Sequence, residues 1–395
     1  MSPSPKRRWP AEWEPHRATW LSWPHNRETW PTRLAQAEDA FCEMVRAIVP
    51  GEDVEINVGD PGLAEHVRTR LLGAGINDLS RIHLRGIPTN DAWVRDYGGI
   101  FVFEQNGDGP RRVVLDFLYD AWGGKYPPWD QDEKVAEQMA RIARVPRIAY
   151  DLVLEAGGID GDGAGTILTT ESCLLNPNRS RPGHDRSRPA LERMFREAFG
   201  AEKILWLADG IEGDDTDGHV DDLTRFVAEG RVVTILESDP ADSNYRVLKQ
   251  NRERLEGMSD AKGRRLEVIE LPTPGVAPGP DGRLPASYAN FYFANAAVLL
   301  PVFGVAQDRE AISILEKAIP DRPIVPIPGQ NLVLGLGAVH CLTQQEPALP
   351  RKAPACDVDP PIIFPLHGTS VKTPGQRGSG GRPTDSFRAH PSKVS

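Results

Sequence analysis

The chain has 395 residues and a formal charge of −10, from 56 acidic and 46 basic side chains. This balance argues against nucleic acid or an anionic membrane as the main partner, since proteins that bind them use Lys and Arg to neutralise phosphates. The longest apolar stretch, residues 294–306, is interrupted by Pro301 and Gly304 and is too short for a membrane span. The N-terminus has no apolar segment typical of a signal peptide, so a soluble cytoplasmic protein is predicted.

Four cysteines are present, and no two of them form a Cys-x-x-Cys pair: Cys42, Cys173, Cys341 and Cys356. They indicate neither a disulfide framework nor a zinc module. Glycine and proline are frequent, with 37 and 36 residues. They separate short apolar runs, which is typical of a chain built from many small elements.

Runs rich in Val, Ile and Leu predict seven strands, at 53–60, 111–118, 147–154, 165–175, 231–237, 265–271 and 296–303. Apolar residues at 3.6-residue spacing predict one helix between Ser187 and Gly200. They predict a second helix that Asp308 caps and that ends before Pro320. Strands that alternate with helices of this length indicate an α/β protein.

One large domain over residues 9–350 is the simplest organisation, because no clear linker interrupts it. Residues 272–285 are rich in Pro and Gly and are predicted to form a long surface loop. Residues 351–395 have no helical periodicity and are dense in Pro, Gly and Ser, so they can bury little apolar surface. This last segment is predicted to be a disordered tail.

Five of the nine tryptophans lie near the N-terminus, at Trp9, Trp13, Trp20, Trp23 and Trp30. Trp9 and Trp30 have the spacing of a WW domain, a module that binds proline-rich peptides. The three-strand hairpin pattern of that module is missing between them. A tryptophan-rich segment packed on the body of the protein is the favoured interpretation.

Residues 89–99 place Asp91 and Asp96 on either side of Trp93 and Arg95, before a pair of glycines. A planar cation is bound well by carboxylates at its edge and an aromatic ring at its face. The segment therefore predicts a loop that presents these groups to such a cation. A surface ion pair between Arg95 and Asp96 is the alternative.

Glu155 directly precedes a glycine-rich turn within residues 154–176. Such a turn lets the backbone approach a ligand or another segment closely. A nucleotide-binding loop is a weak interpretation, because a strand and not a helix follows.

Residues 210–227 crowd six ionisable groups into nine positions: Asp214, Asp215, Asp217, His219, Asp221 and Asp222. If residues 218–227 form a strand, His219 and Asp221 point to the same face. Two functional interpretations follow, a general acid/base centre or a site for a divalent metal such as Mn²⁺. A solvated acidic turn is the alternative without function.

Cys341 lies in a polar segment, residues 335–347, behind two glycines and His340. A single cysteine in such a segment, with a histidine and an aspartate elsewhere, predicts a thiol nucleophile assisted by a base. The other three cysteines lie in apolar or tail contexts that are typical of inert residues.

Six motifs in order closely resemble the agmatine deiminase family, which includes the bacterial type of peptidyl-arginine deiminase. They are WPAEWEPHRATWLSWPHNRETW, NDAWVRDYGG, LEAGGIDGDGAGTILTTESCLLNPNRS, GDDTDGHVDDLTRF, SYANFYFANAAVLLPVFG and HCLTQQEP. The resemblance implies a single-domain α/β propeller of five pseudo-symmetric blades, the pentein fold. It further implies a covalent cysteine mechanism on a small cationic guanidine, agmatine, that forms N-carbamoylputrescine and ammonia without a metal or other cofactor.

The resemblance also implies residue roles. Cys341 becomes the nucleophile and His219 the acid/base, while Asp221 and Asp96 hold the guanidinium. Glu155 is carried over as an acidic residue near the histidine. The residues assigned to the substrate cavity are Trp93, Asp91 and Asp215.

Several alternatives stay open at this point. The same thiol chemistry would act on free or peptide-bound arginine, and Leu336 and Ala338, which interrupt the usual glycine run, leave the substrate undecided. A Mn²⁺ ureohydrolase is a more distant option, because only one metal-like string is present. A binding module and an inactive relative are the options without catalysis. The sequence leaves the oligomeric state open, a homo-oligomer included.

Overall fold

Strands and helices alternate along the described part of the chain. The computed structural model describes residues 6–107, 109–280 and 282–350. These residues form one mixed α/β unit. The predicted tail and Cys356 lie outside them. Among the described helices, none is long and apolar enough to cross a membrane.

The described strands are β1 (Arg7–Arg8), β2 (His16–Ser22), β3 (Asp53–Val58), β4 (Ile82–Gly86), β5 (Ile100–Asn106), β6 (Gly109–Leu118), β7 (Arg147–Val153), β8 (Ile159–Gly161), β9 (Thr166–Thr170), β10 (Lys203–Leu207), β11 (Thr224–Ala228), β12 (Arg231–Leu236), β13 (Glu267–Pro272), β14 (Pro278–Gly279), β15 (Gly282–Arg283), β16 (Tyr292–Phe293), β17 (Val298–Val302), β18 (Ile324–Pro328) and β19 (Gln344–Pro347). The described α-helices are α1 (Leu34–Ile48), α2 (Pro61–Gly73), α3 (Val94–Tyr97), α4 (Ala121–Gly124), α5 (Val135–Ala143), α6 (Glu171–Leu174), α7 (Arg188–Phe199), α8 (Tyr245–Glu256), α9 (Gln307–Ala318) and α10 (Gly329–Leu332).

Five sheets share one strand pattern. In each, a leading strand pairs antiparallel with a second strand, and the second pairs parallel with a third after a helix. Parallel pairing requires such a crossover, and helices α1, α5, α7, α8 and α9 lie in the five crossovers. The leading strands are β19, β5, β8, β11 and β16. Since β19 pairs with β2, the first sheet joins both ends of the described chain.

Helix α7 confirms the helix predicted between Ser187 and Gly200. It buries Leu191 and Phe195 on one face and ends at Gly200, whose φ is +70°. A Cβ at Gly200 would lie 1.9 Å from the carbonyl oxygen of Arg7. Both the left-handed backbone and this neighbour therefore require glycine at the end of the helix.

Helix α9 covers the second predicted helix, but the prediction that Asp308 caps it is wrong. The helix begins at Gln307, and Asp308 lies in its first turn. Its carboxylate accepts hydrogen bonds from the backbone N–H groups of Phe303, Gly304 and Val305, at 3.0, 2.8 and 3.0 Å. The side chain thus stabilises the turn before the helix instead of the helix N-terminus.

Two predicted strands are shorter than expected. The strand predicted at 165–175 ends at Thr170, whose hydroxyl accepts from the backbone N–H of Cys173 at 3.3 Å and begins helix α6. The strand considered over 218–227, on which His219 and Asp221 would share a face, begins only at Thr224, so both residues lie before it. Before it, the Asp214 carboxylate accepts from the backbone N–H of His219 at 3.1 Å, so a side chain occupies this donor in place of a neighbouring strand.

The N-terminal tryptophans pack against the body of the protein. Trp20, Trp23 and Trp30 are fully buried in a core that includes the apolar face of α1. The indole N–H of Trp23 donates to Glu38 at 2.9 Å, and that of Trp30 donates to a backbone carbonyl at 3.1 Å. The favoured interpretation of this segment is confirmed, and no WW-type hairpin forms among its described residues.

The predicted loop at 272–285 contains a short hairpin, formed by β14 and β15, so it is not entirely irregular.

Candidate active site

Five segments contribute polar side chains to one site, and each segment directly precedes a leading strand. The residues are Asp96 before β5, Glu155 before β8, Asp221 before β11, Asn290 before β16 and Cys341 before β19. The repeated strand pattern therefore brings one side chain from every sheet to the same place.

Cys341 is the sulfur at the centre of this site. It lies in a turn before β19 and is only 4 % exposed. Its Sγ is 3.1 Å from Nδ2 of Asn290 and 3.7 Å from Oδ2 of Asp221. Burial, and then the carboxylates of Asp221 and Asp222, raise the pKa of the thiol well above its usual value. The resting group is therefore a neutral thiol.

Asn290 was not identified from the sequence as a site residue. Its amide N–H donates to both Cys341 Sγ and Asp222 Oδ1, the latter at 2.9 Å, and its side-chain oxygen accepts from the backbone N–H of His340 at 2.9 Å. It is fully buried. The one feature that distinguishes Asn290 is its position directly before a leading strand. This feature could not be used from the sequence alone, because the repeated strand pattern is known only from the structure.

His219 lies beneath the site and is fully buried. Its Nδ1 is 3.7 Å from Asp96 Oδ1 and 4.0 Å from Asp221 Oδ1. Among the described residues, neither ring nitrogen has a hydrogen-bond partner. Burial lowers the pKa of His219, but the Asp96 carboxylate and the neighbouring Cys173 raise it more, and the net pKa is well above the usual value. The imidazole is therefore a protonated group that faces the carboxylates of Asp96 and Asp221.

The Asp96 carboxylate is held by two donors. Oδ1 accepts from the backbone N–H of Gly157 and Oδ2 from the indole N–H of Trp122, both at 3.1 Å. Burial raises the pKa of Asp96 to about 6. At neutral pH Asp96 is mostly charged, so that it attracts a cation.

The Asp221 carboxylate has one occupied and one unoccupied oxygen. Its Oδ2 lies 2.6 Å from Nδ1 of His340, whereas Oδ1 has no hydrogen-bond partner among the described residues. Burial raises the pKa of Asp221, but the bond to His340 outweighs it and the net shift is downward. Asp221 therefore presents a charged, buried acceptor beside the thiol.

Glu155 lies near His219, where the resemblance places it. Ligand atoms of Glu155, Cys173 and His219 all lie within 4.8 Å of one another. Oε1 of Glu155 accepts from Arg179 Nε at 3.0 Å. Burial raises the pKa of Glu155, but Arg179 and His219 lower it by more, and the net pKa is below its usual value. Glu155 is therefore an anion near the imidazole.

A cavity of about 1270 Å³ opens onto the thiol. Its walls include Cys341, Asp96 and the three predicted substrate residues, Trp93, Asp91 and Asp215. The lining of the cavity does not include Glu155, His219, Asp221 or Asn290, which matches their complete burial. The cavity thus reaches the sulfur directly and, of the carboxylates of Asp96, Glu155 and Asp221, only that of Asp96.

Trp93 packs against the glycines that precede the cysteine. A Cβ at Gly337 would lie 2.5 Å from Trp93 Cζ3, and one at Gly335 would lie 2.9 Å from its Cζ2. Leu336 between them adopts a left-handed φ of +68°. The two glycines are required because the indole leaves no space for a side chain.

Asp91 and Asp215, the two predicted substrate carboxylates, each accept hydrogen bonds from neighbouring side chains. Asp91 Oδ2 accepts from Thr29 and from Asn26 at 3.2 Å, and Asp215 accepts from the Tyr126 hydroxyl. Both therefore lie in the cavity wall with neutral partners.

The acidic string of residues 214–222 does not converge on one point. Asp214 binds the backbone of its own turn, and Asp217 pairs with Lys125 at 2.9 Å and with Arg179. The candidate metal groups found among the described residues each include a cysteine. A thiolate is a soft ligand that does not suit Mn²⁺, so the donor set does not favour the manganese interpretation.

The alternative of a surface pair between Arg95 and Asp96 is wrong, because both are buried. Arg95 Nη1 donates to Gln344 at 3.0 Å and Gln345 at 2.8 Å, and its backbone N–H donates to the carbonyl of Cys341 at 3.2 Å. Arg95 thus binds the cysteine segment instead of Asp96.

A buried thiol beside an imidazole and carboxylates has the composition of a cysteine-dependent hydrolase. Residues 8–347 match the family model of Porphyromonas-type peptidyl-arginine deiminase. The chain belongs to this family, as predicted from its motifs.

Agmatine deiminases are among its relatives. One from Pseudomonas aeruginosa (strain LESB58) is 39 % identical in an alignment of 369 positions that covers 88 % of this chain and 96 % of the relative. The solved agmatine deiminase of Enterococcus faecalis has a TM-score of 0.80 and 34 % identity, covering 88 % of this chain and 98 % of that one. A C. jejuni agmatine deiminase with substrate bound has a TM-score of 0.76 and 28 % identity, covering 86 % and 96 %.

Proposed function

We propose that the protein hydrolyses agmatine to N-carbamoylputrescine and ammonia through a covalent intermediate on Cys341. The observation that carries this proposal is the position of Asp221: its unpartnered Oδ1 is buried, and its Oδ2 lies 3.7 Å from the Cys341 sulfur. An anion placed there binds a guanidinium N–H and keeps the central carbon within reach of the thiol. The agmatine deiminases among its relatives support the same substrate.

The guanidinium of the bound substrate promotes ionisation of the thiol that attacks it. Asp96 and Asp221 flank the guanidinium and neutralise its charge, while the positive substrate beside Cys341 lowers the pKa that burial and carboxylates raise in the free enzyme. The thiol proton passes to solvent as the substrate binds, and the thiolate then attacks the central carbon to form a neutral tetrahedral adduct.

His219 supplies the proton for the first departure. As an imidazolium it donates a proton to one NH₂ group of the adduct, the C–N bond breaks, and ammonia leaves. A thiouronium on Cys341 remains, and His219 becomes a base. Glu155 and the two aspartates surround the ring and stabilise its charged form.

Water completes the reaction. Neutral His219 takes a proton from a water molecule that attacks the thiouronium carbon, and collapse of this second adduct breaks the C–S bond. The hydroxyl proton of this adduct passes to the sulfur, so that the ureido product leaves and the thiol is restored. All these steps use side chains of this chain alone.

The remainder of agmatine lies in the large cavity. Trp93 provides an apolar wall for its methylenes, and Asp91 and Asp215 supply negative charge for its far ammonium. A small amine without a carboxylate suits this acidic wall better than free arginine does.

We also propose that the five sheets are the blades of a propeller around the site, over a catalytic domain of residues 9–350 that is followed by a dispensable segment, 351–395. One side chain from the segment before each leading strand supports this arrangement. Three described cysteines are free, which supports a reducing, cytoplasmic location. N-carbamoylputrescine is a precursor of putrescine, so we place the reaction in putrescine synthesis.

Substrate competition tests the proposal. The purified protein should release ammonia from agmatine with a kcat/KM at least about tenfold above that for free arginine or a blocked arginyl peptide. A preference for the peptide would contradict the substrate assignment but keep the thiol mechanism. No turnover of any guanidine by a folded protein would contradict both.

A further inference from the structure

A buried chain of alternating charges leads from Asp221 to the tryptophan-rich N-terminal segment. His340 lies between two carboxylates, with Nδ1 2.6 Å from Asp221 Oδ2 and Nε2 2.8 Å from Glu12 Oε2. All three side chains are buried. Since ionised carboxylates only accept hydrogen bonds, both ring nitrogens must carry a proton to bind both partners. This geometry selects the imidazolium form of His340.

Glu12 is itself fixed from several sides. Its Oε2 also accepts from Arg95 Nη2 at 3.3 Å, while Oε1 accepts from the backbone N–H of Phe293 at 2.9 Å and pairs with Arg225 at 3.0 Å. Arg225 continues the chain to Asp160 at 3.3 Å. Burial raises the pKa of Glu12, but Arg225 and His340 lower it well below its usual value. Glu12 is therefore an anion with little freedom to move.

We propose that Glu12 and His340 are positioning residues for guanidine hydrolysis and act by holding Asp221 charged and oriented toward the substrate. The inference rests on the proposed role of Asp221. His340 occupies Oδ2, so that Oδ1, 4.0 Å from Nδ1 of His219, stays available to a ligand. Glu12 of the N-terminal segment is thus connected to Asp221 through His340.

His340 is the strongest influence that keeps Asp221 charged. Among the described groups, it is the charged side chain within hydrogen-bond distance of this carboxylate. Other positive groups that lower the pKa of Asp221 are His219 and Arg225. The acidic or thiol groups that face it are Asp96, Asp214, Asp222 and Cys341. Because the three carboxyl groups among them oppose its negative charge, loss of the His340 charge must raise the pKa of Asp221.

The variant His340→Gln tests the inference, because glutamine donates one hydrogen bond to Asp221 but carries no charge. The probes are chloroacetamidine, a planar cationic electrophile, and neutral iodoacetamide, with alkylation of Cys341 followed by mass spectrometry. The cationic probe should react about tenfold more slowly with the variant, whereas the neutral probe changes less than about threefold. The acidic limb of the amidine rate should move to higher pH.

Glu12→Gln is the second variant, and Glu52→Gln is its matched control. Glu52 is also a fully buried carboxylate and binds His16 at 3.0 Å, but it has no bond to His340 or Asp221. Glu12→Gln should slow the amidine about threefold or more, and Glu52→Gln should leave the ratio of the two rates unchanged.

An unchanged ratio of the two alkylation rates in folded His340→Gln would overturn the inference, and if both rates fall equally, the role of His340 is purely structural. If His340→Gln does not fold, a normal ratio in Glu12→Gln overturns it instead. Alkylation needs no turnover, so normal alkylation without agmatine hydrolysis would contradict the proposed substrate and leave the positioning role standing.

Discussion

The side-chain amide of Asn290 donates to the sulfur of Cys341 at 3.1 Å, while its oxygen binds the backbone N–H of the preceding residue at 2.9 Å. One side chain thus fixes both the sulfur and the turn that carries it. A donor aimed at sulfur favours the thiolate over the thiol. This favourable contact opposes the carboxylates that raise the pKa of Cys341.

Asn290→Asp should raise the pKa of the Cys341 thiol by about one unit, because a donor is replaced by an anion of the same shape. The pH dependence of iodoacetamide alkylation measures this shift. Asn251→Asp, a change at a buried asparagine in α8 that binds Ala208, is the control and should leave the thiol pKa unchanged. An unaltered alkylation profile for Asn290→Asp would show that the amide does not stabilise the thiolate.

Cys341→Ser should reduce ammonia release from agmatine by about a thousandfold or more, because a hydroxyl is a far weaker nucleophile than a thiolate. Cys42→Ala, at a buried cysteine in α1, should retain activity. EDTA should not inhibit the unmodified protein. Loss of activity to the chelator together with an active serine variant would contradict the thiol mechanism.

The pH profile should report Asp96. Burial raises its pKa to about 6, and only the charged form attracts the guanidinium, so kcat/KM should fall as the pH drops through about 6. Trp122→Phe removes an N–H that stabilises the charged form and should move this fall about half a unit to higher pH. Trp206→Phe, at an indole that binds Glu192, should leave the profile in place. If the pH at which kcat/KM falls is the same in Trp122→Phe, the fall is caused by the titration of a group other than Asp96.

Gly337→Ala should displace Trp93, since the added Cβ would lie 2.5 Å from the ring. Because the ring forms part of the cavity wall, the expected result is a KM for agmatine about tenfold higher in a folded protein. Gly86→Ala is the matched control, because no atom of the residues that the structure describes lies within 4 Å of its added Cβ. Steady-state kinetics compare the two variants, and equal KM values for agmatine would show that Trp93 does not contact the substrate.

Removal of residues 351–395 should leave activity and the melting temperature nearly unchanged. The site residues all precede β19, the last described strand, which ends at Pro347. The comparison uses the truncated and full chains side by side. A loss of activity or solubility would show that the segment contributes to the fold.

The family and the α/β class could be predicted because they depend on local signals: ordered motifs and apolar periodicity. The structure brings His219, Asp96 and Cys341 into one site, as their motifs indicated. Several strands could not be predicted, since β8 has three residues and β16 has two, too few to form a period. Their existence depends on pairing with longer neighbours.

The supporting residues depend on long-range contacts that no pattern in the sequence records. Glu12 and His340 are 328 positions apart, and Asn290 and Cys341 are 51 apart. A glutamate among tryptophans, or an asparagine among aromatic residues, has no local feature that indicates its partner. The strand expected around His219 failed for a related reason, since the side chain of Asp214 satisfies backbone donors there.

The pairing of β19 with β2 has a consequence for biosynthesis. The ribosome makes β2 more than 300 residues before β19, so the β2 edge of the first sheet remains unpaired while the residues between them are translated. The nucleophile, three residues before β19, arrives in the same late step. A nascent chain shorter than 341 residues therefore contains Asp96, His219 and Asp221 but lacks the sulfur that completes the site.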